Sequence, residues 1–259
     1  MIFAPLIFDR RSVRLHRDRA ASRVGQVADV LTDVADRLLD RLLDTKFRFT
    51  QALDLGGRGV IAPMLRARGI EVVSADLSPA MAGLSGGLPV CADEEFLPFA
   101  ENSFDLVIAN LSLHYVNDLP GALIQIRRSL RPDGLFLASI PLLGTLAELR
   151  AGLATSEANL RGGLASRVSP FPELRDCAVL LQRAGFALPV ADLEEITLLY
   201  ANPLALLHDL RAAGETNATI SRDRGIPPRT LFPQALADLP EQQGRAAVTL
   251  KVGVLTGWK

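Results

Sequence analysis

The chain has 259 residues, with 28 Lys plus Arg against 29 Asp plus Glu, and 49% of it is hydrophobic. The near-neutral balance excludes the basic excess of a nucleic-acid-binding face, and the apolar content excludes disorder as the main state. Two cysteines, Cys91 and Cys177, support neither a disulfide framework nor a cysteine-rich metal site, so a reduced, cytoplasmic setting is expected.

In chain order, the segment Met1 to Phe8 is apolar but contains Pro5 and lacks a preceding charged stretch, which makes a poor secretory signal. No run of about 18 apolar residues suits a membrane span. Residues 9–24 hold Arg10, Arg11, Arg14, Arg17, Arg19 and Arg23 against Asp9 and Asp18. This basic arm reads either as a solvated helix or as a peripheral contact for an anionic partner or membrane surface. Val27, Val30, Leu31, Val34, Leu38, Leu39 and Leu42 follow at helical spacing. Residues 1–44 therefore form a helical arm ahead of a domain over 45–259.

From Thr50 the period changes. Gln51–Leu55 reads as a buried strand ending in glycines, Val60–Arg68 as a helix stopped by Gly69, and Ile70–Ala75 as a second strand. Ser78 and Pro79 start a short helix, Leu88–Ala92 is a third strand and Phe104–Ala109 a fourth. Leu119–Leu130 reads as a helix, Arg131–Gly134 as a turn and Leu135–Ile140 as a strand. Strands alternating with helices predict a doubly wound parallel α/β sheet. Beyond it, Thr145 to about Leu164 reads as a helix, within a helical insertion over about 144–170. Phe171–Ala184 and Pro203–Ala213 are further helices, and Glu194–Tyr200 and Arg245–Thr256 are strands. Residues 214–230 form a long polar loop of the kind that is commonly functional or mobile.

The chemistry-bearing residues gather at strand ends. Asp54, Gly56, Gly57 and Gly59 follow the first strand, where glycines let a ligand approach the backbone and the next helix N-terminus. Asp76 ends the second strand, where it can accept from both ribose hydroxyls or cap the following helix. His16, His114 and His208 are too widely spaced for a ligand pair, so no metal is expected.

Asp93-Glu-Glu-Phe-Leu-Pro-Phe99 followed by Asn102-Ser-Phe-Asp-Leu-Val107 resembles the class I S-adenosylmethionine methyltransferases. The resemblance implies a Rossmann-like, seven-stranded fold and S-adenosylmethionine or S-adenosylhomocysteine as cofactor. It places Asp54 and the three glycines near the methionine part, Asp76 and Leu77 at the ribose, Asp93 and Glu94 at the adenine, and Asn110 toward the sulfonium. Phe8-Asp-Arg10, Arg17-Asp-Arg-Ala-Ala21, Leu111-Ser-Leu-His-Tyr-Val-Asn-Asp-Leu-Pro120, Ser169-Pro-Phe171, Gly214-Glu-Thr-Asn217 and Gly257-Trp-Lys259 carry a closer resemblance. They are similar to the mitochondrial complex I assembly factor 5 family and its bacterial relatives of the methyltransferase type 11 group. The biotin-pathway carboxyl methyltransferases are more distant cousins. For the mitochondrial members this implies maturation of an NADH dehydrogenase subunit by arginine hydroxylation.

The glycine loop departs from that pattern. The family runs Asp-Leu-Gly-X-Gly-X-Gly, whereas Asp54-Leu-Gly-Gly-Arg-Gly59 is one residue short. A weakened cofactor site is expected. The simplest reading is cofactor-dependent methyl transfer to a protein or small-molecule acceptor, entering between the insertion and the 214–230 loop. The rivals are an arginine hydroxylase and a non-catalytic assembly factor with an impaired site, each with a respiratory-complex subunit as its protein partner. His114 and Asn110 are the catalytic candidates, with His114 also readable as a packed residue bonded to backbone. Tyr115, Glu215 and Asn217 are the substrate-side candidates, Tyr115 as a lid. Nicotinamide dehydrogenase chemistry fits least, because it leaves Asp93 and Leu97-Pro-Phe99 unexplained.

Overall fold

A computed structural model describes residues 6–259. The reading of the chain start as a poor secretory signal falls mostly on residues 1–5, outside the described residues.

Two helices come first, α1 (Arg10–Ala20) and α2 (Ala28–Asp40). Asp9 caps α1, its carboxylate accepting from the Ser12 amide at 3.1 Å and the Ser12 hydroxyl at 2.8 Å. The alternating region follows as β1 (Gln51–Leu55), α3 (Ile61–Arg66), β2 (Glu71–Asp76), α4 (Pro79–Ala82), β3 (Leu88–Cys91), β4 (Phe104–Asn110), α5 (Leu119–Ser129) and β5 (Leu130–Pro141). The second half adds α6 (Ala147–Arg161), α7 (Leu174–Arg183), β6 (Ala187–Tyr200), α8 (Leu204–Ala212), α9 (Leu231–Ala237), β7 (Glu241–Gln242) and β8 (Arg245–Trp258).

The sheet order is β3-β2-β1-β4-β5-β8-β6, with β7 paired to β8. Strands β1 to β5 pair in parallel, and β8 runs antiparallel between β5 and β6. The start of β1 is pinned to β4 by Asp105, which accepts from the Thr50 amide at 2.9 Å, the Thr50 hydroxyl at 2.7 Å and the Gln51 amide at 3.0 Å.

Both faces of the sheet are covered, as a parallel sheet requires. On one face Leu53, Val107 and Phe136 pack with Leu123, Ile126 and Leu181 of α5 and α7. On the other, Ala52, Leu106 and Leu137 meet Leu38 and Leu39 of α2 and Ile61 and Leu65 of α3. A third cluster joins Leu149 and Leu153 of α6, Leu206 of α8 and Leu231 and Ala235 of α9 into a cap with Ala246 and Val248 at the amino end of β8, beyond the carboxyl end of β5.

Three boundaries differ from the sequence reading. Arg131–Gly134 is not a separate turn but part of β5, where Asp133 takes φ 61° and the β4 register shifts between Phe104 and Leu106. The strand absorbs the turn residues as a bulge-like irregularity. Strand β6 begins at Ala187 instead of Glu194 and tolerates Pro189 because it lies at the sheet edge. Helix α9 is built from residues that the sequence reading left unassigned, and its Leu231 and Ala235 bury against α6.

Candidate functional site

The carboxyl edge of β1, β2 and β4 gathers the sequence-selected groups. Gly56 takes φ 70°, a left-handed conformation that suits glycine. Its amide donates to the Ala75 carbonyl at 2.7 Å, and a Cβ there would lie 2.5 Å from Ser112 Cβ and 3.1 Å from Arg17 Nη1. A Cβ on Gly57 would fall 2.0 Å from Asp54 Oδ1, so the Asp54 carboxylate turns back under its own loop. Gly59 faces Leu84, on the far side of the turn.

Arg17 stands at the centre of this edge and is 1% exposed. Its Nη1 donates to Asp76 Oδ2 at 2.8 Å and to Glu94 Oε1 at 3.3 Å. The second Asp76 oxygen accepts from the Ser78 amide at 2.7 Å. Burial by itself disfavours the Arg17 charge, but the fields of Asp76 and Glu94 overcome it and the guanidinium stays firmly protonated. Burial likewise raises the Asp76 carboxyl, with Arg17 opposing. Arg10, one face along α1, pairs with Asp93 at 2.6 Å and with Glu94, and donates to the Tyr115 carbonyl at 3.1 Å. The expectation of a solvated arm therefore fails for Arg10 and Arg17, which turn inward with Val13 and Ala20, while Arg11, Arg14 and Arg19 face solvent. Positions three, four and seven apart share one helix face.

Arg58 fills the adjoining space. It takes φ 50° and is 4% exposed. Its Nη1 donates to the Leu111 carbonyl at 3.0 Å, and Nη2 pairs with Glu215. Glu215 also accepts from His114 Nε2 at 2.7 Å. Burial alone would raise the Glu215 carboxyl, but the charges of His114 and Arg58 bring it down to about 2. His114 is thus packed as one reading held, though its partner is a carboxylate and not backbone. In this trio Glu215 fixes the orientation of the imidazole through Nε2 and is itself held by Arg58.

The other candidates divide. Asn110 is locked into the core, donating to the Leu31 carbonyl at 3.2 Å and accepting from Ser139 Oγ at 2.7 Å, so it does not face a reacting atom. Tyr115 is buried, edge-on to Phe8, with its hydroxyl donating to the Thr216 carbonyl at 3.3 Å. It is a floor element and not a lid, because the neighbouring Phe8 and Ala218 close over it. Leu77 packs against the same cluster. Asn217 braces the loop, bonding the Ser166 carbonyl at 2.7 Å and the Thr219 amide at 2.9 Å.

Beside the trio lies a cavity of about 350 Å³, lined chiefly by apolar side chains including Leu31, Leu111, Leu149, Phe171 and Leu206, with Arg58, Tyr115 and Glu215 at one end. It lies between the insertion helix α6 and the 214–230 segment, where the sequence reading put acceptor entry. Gly56, Asp76 and Glu94 do not line it.

Sequence reasoning selected the carboxylates and glycines but missed Arg10, Arg17 and Arg58. The seven-residue spacing of Arg10 and Arg17 was the available signal for a shared inward face. The acceptor chemistry at Asp76 and Glu94 is that of an adenosyl site, yet the space is not. With α1 docked, Arg17 takes both carboxylates and covers Gly56, so an adenosyl cofactor does not fit these residues as they stand.

Residues 53–138 match a family model described as a methyltransferase domain. The chain is 37% identical over 268 residues to the arginine-hydroxylase NDUFAF5, mitochondrial, of Homo sapiens, covering 98% of this chain and 77% of the relative. It is 36% identical over 265 residues to the malonyl-[acyl-carrier protein] O-methyltransferase of Halorhodospira halophila, covering 96% and 88%. A putative methyltransferase from Bacillus halodurans superimposes with a TM-score of 0.59 at 16% identity, over 86% of this chain and 99% of that one, which shows the class I methyltransferase fold.

Proposed function

Because the chain belongs to the methyltransferase family that contains these arginine-hydroxylases and malonyl-[acyl-carrier protein] O-methyltransferases, we propose that it is an S-adenosylmethionine-dependent modifying enzyme whose acceptor presents an apolar body. The observation that carries this reading is the convergence of the Asp76 and Glu94 carboxylates on one point beside Gly56. Two carboxylates at the ends of β2 and β3 can accept from a vicinal diol and an exocyclic amine. They receive those donors only after Arg17 has left.

The cavity supports the acceptor class. Its walls are mostly apolar, and the charged residues among them include the Arg58 and Glu215 pair together with Arg167, Asp209, Arg211, Arg222 and Asp223, so both signs of charge are present. An acceptor with a largely apolar body, on a small molecule or on a protein segment, matches that surface. The exposed Cys91 and buried Cys177 are both unpaired, which supports action in a reduced compartment.

A second reading is favoured by the three inward arginines. It is an assembly factor for a respiratory NADH dehydrogenase, or an arginine hydroxylase, that keeps the fold and works on a protein subunit. Titration of the purified chain with S-adenosylmethionine and S-adenosylhomocysteine separates a cofactor-using enzyme, methyltransferase or arginine hydroxylase, from the non-catalytic assembly factor. Micromolar binding supports the enzyme. Absence of binding, in the native chain and in variants that empty the Asp76 and Glu94 carboxylates, moves the assembly reading to the front.

A further inference from the structure

We propose that helix α1 and an adenosyl ligand compete for one place, with Arg17 as the internal occupant that must be withdrawn before the ligand binds. The inference rests on the cofactor reading above. Three observations carry it.

First, the Arg17 guanidinium takes two of the carboxylates at the site, while Arg10 holds Asp93. One nitrogen bridges Asp76 at 2.8 Å and Glu94 at 3.3 Å, and the group presses to within 3.1 Å of the Cβ position of Gly56. A ligand that reaches for those oxygens and that backbone meets the Arg17 guanidinium already there. Second, Arg17 Nη2 is buried and has no hydrogen-bond partner among the described residues. An unpartnered charged donor is a costly fit, so the occupant is less well matched to the cleft than a full donor set would be. Third, the start of α1 is tied to the 214–230 segment, besides the Arg10 pairs with Asp93 and Glu94 and the Ser78 hydroxyl on Asp18. Asp9 donates its amide to the Ala218 carbonyl at 2.8 Å, and Arg222 pairs with Asp9 at 3.2 Å. Phe8 pairs with Thr219 as a lone β-bridge. Withdrawal of α1 therefore loosens the 214–230 segment, which borders the cavity at Glu215, Thr216 and Asn217. Cofactor entry and acceptor access are coupled through that segment, and the coupling is reciprocal.

The chemistry names the competitor. After Arg17 leaves, two buried carboxylates remain, and they need hydrogen-bond donors or positive charge. An adenosyl sulfonium or adenosyl thioether carrying a ribose diol supplies the donors. The experiment uses the full chain and S-adenosylhomocysteine as probe, with amide hydrogen exchange over Ser12–Ala20 and calorimetry. Saturating probe should raise α1 exchange at least about tenfold, and Arg17→Met should bind the probe at least about tenfold more tightly than the native chain. Probe binding with α1 protection unchanged or increased overturns the competition and leaves the cofactor reading standing. Absence of binding by folded Arg17→Met and folded Arg17→Gln overturns both. If neither variant folds, Arg17 is a part that the fold cannot release, and the competition is overturned on that ground.

Discussion

Glu215 Oε2 accepts from His114 Nε2 at 2.7 Å, joining two residues 101 positions apart in the chain. The bond ties the segment after α8 to the turn after β4. With Arg58 on its other oxygen, the Glu215 carboxyl is held at about 2 against an ordinary 4.5, although burial alone would raise it. A carboxyl lowered by folding stabilises the fold above its ordinary value, and that stability is lost as pH falls from about 4.5 toward 2. Glu215→Gln should therefore cost about 3 kcal/mol at neutral pH and flatten the acid limb of the stability profile. Urea unfolding at neutral pH and at about pH 3 checks both, and an unchanged acid limb would discount the ion pair.

Asp54 behaves in the opposite sense. Burial, reinforced by the charge of Asp76, pushes its carboxyl up to about 7 from 3.8. The folded state then holds a proton that the unfolded state releases, so this group's contribution falls as pH rises from about 4 to about 7. Asp54→Asn should flatten that slope and raise stability above neutrality, by about 1–4 kcal/mol. Thermal unfolding at about pH 5 and about pH 8 measures the difference.

The shortened glycine loop predicts a coupling. A Cβ at position 57 meets Asp54 Oδ1 at 2.0 Å, and there is no room for both. Gly57→Ala should destabilise by about 1–3 kcal/mol. In an Asp54→Ala background most of that cost should vanish, because the two changes share one contact. A double-mutant cycle by urea denaturation gives the answer, and additive costs would show that the loop is strained elsewhere.

Gly152 sits inside α6, where alanine ordinarily gains about 1 kcal/mol of helix propensity. Here a Cβ would lie 2.6 Å from the Ala235 carbonyl oxygen of α9, and backbone cannot swing aside as a side-chain end can. The clash should outweigh the propensity, for a net loss of about 1–3 kcal/mol. An increase in the unfolding midpoint of Gly152→Ala would mean that α9 moves freely on α6.

The alternating half of the fold was legible because its signals are local. Apolar runs of strand length, the Gly69 stop and the Ser78-Pro79 start each act within a few residues, and β1 to β4 stand close to where those signals put them. The acidic residues ending β2 and following β3 were legible by position along the sheet edge. Of the long edge strand β6, Glu194–Tyr200 was legible but the half from Ala187 was not, since Leu188 and Pro189 argue locally against a strand and are tolerated only where no outer neighbour pairs.

The sequence by itself determined a doubly wound sheet with Asp54, Gly56, Asp76, Asp93 and Glu94 near strand ends, since strand positions and turn chemistry follow from short-range patterning. Only the tertiary structure decided what stands among those residues. Arg17 reaches Asp76 across 59 positions and Arg58 reaches Glu215 across 157. The spacing of Arg10, Val13, Arg17 and Ala20 marks one helix face, but it does not say whether the arginines on that face meet water or a buried carboxylate. Burial makes that choice, because a desolvated carboxylate pair is tolerable only with a cation or donors beside it, and α1 brings the cation.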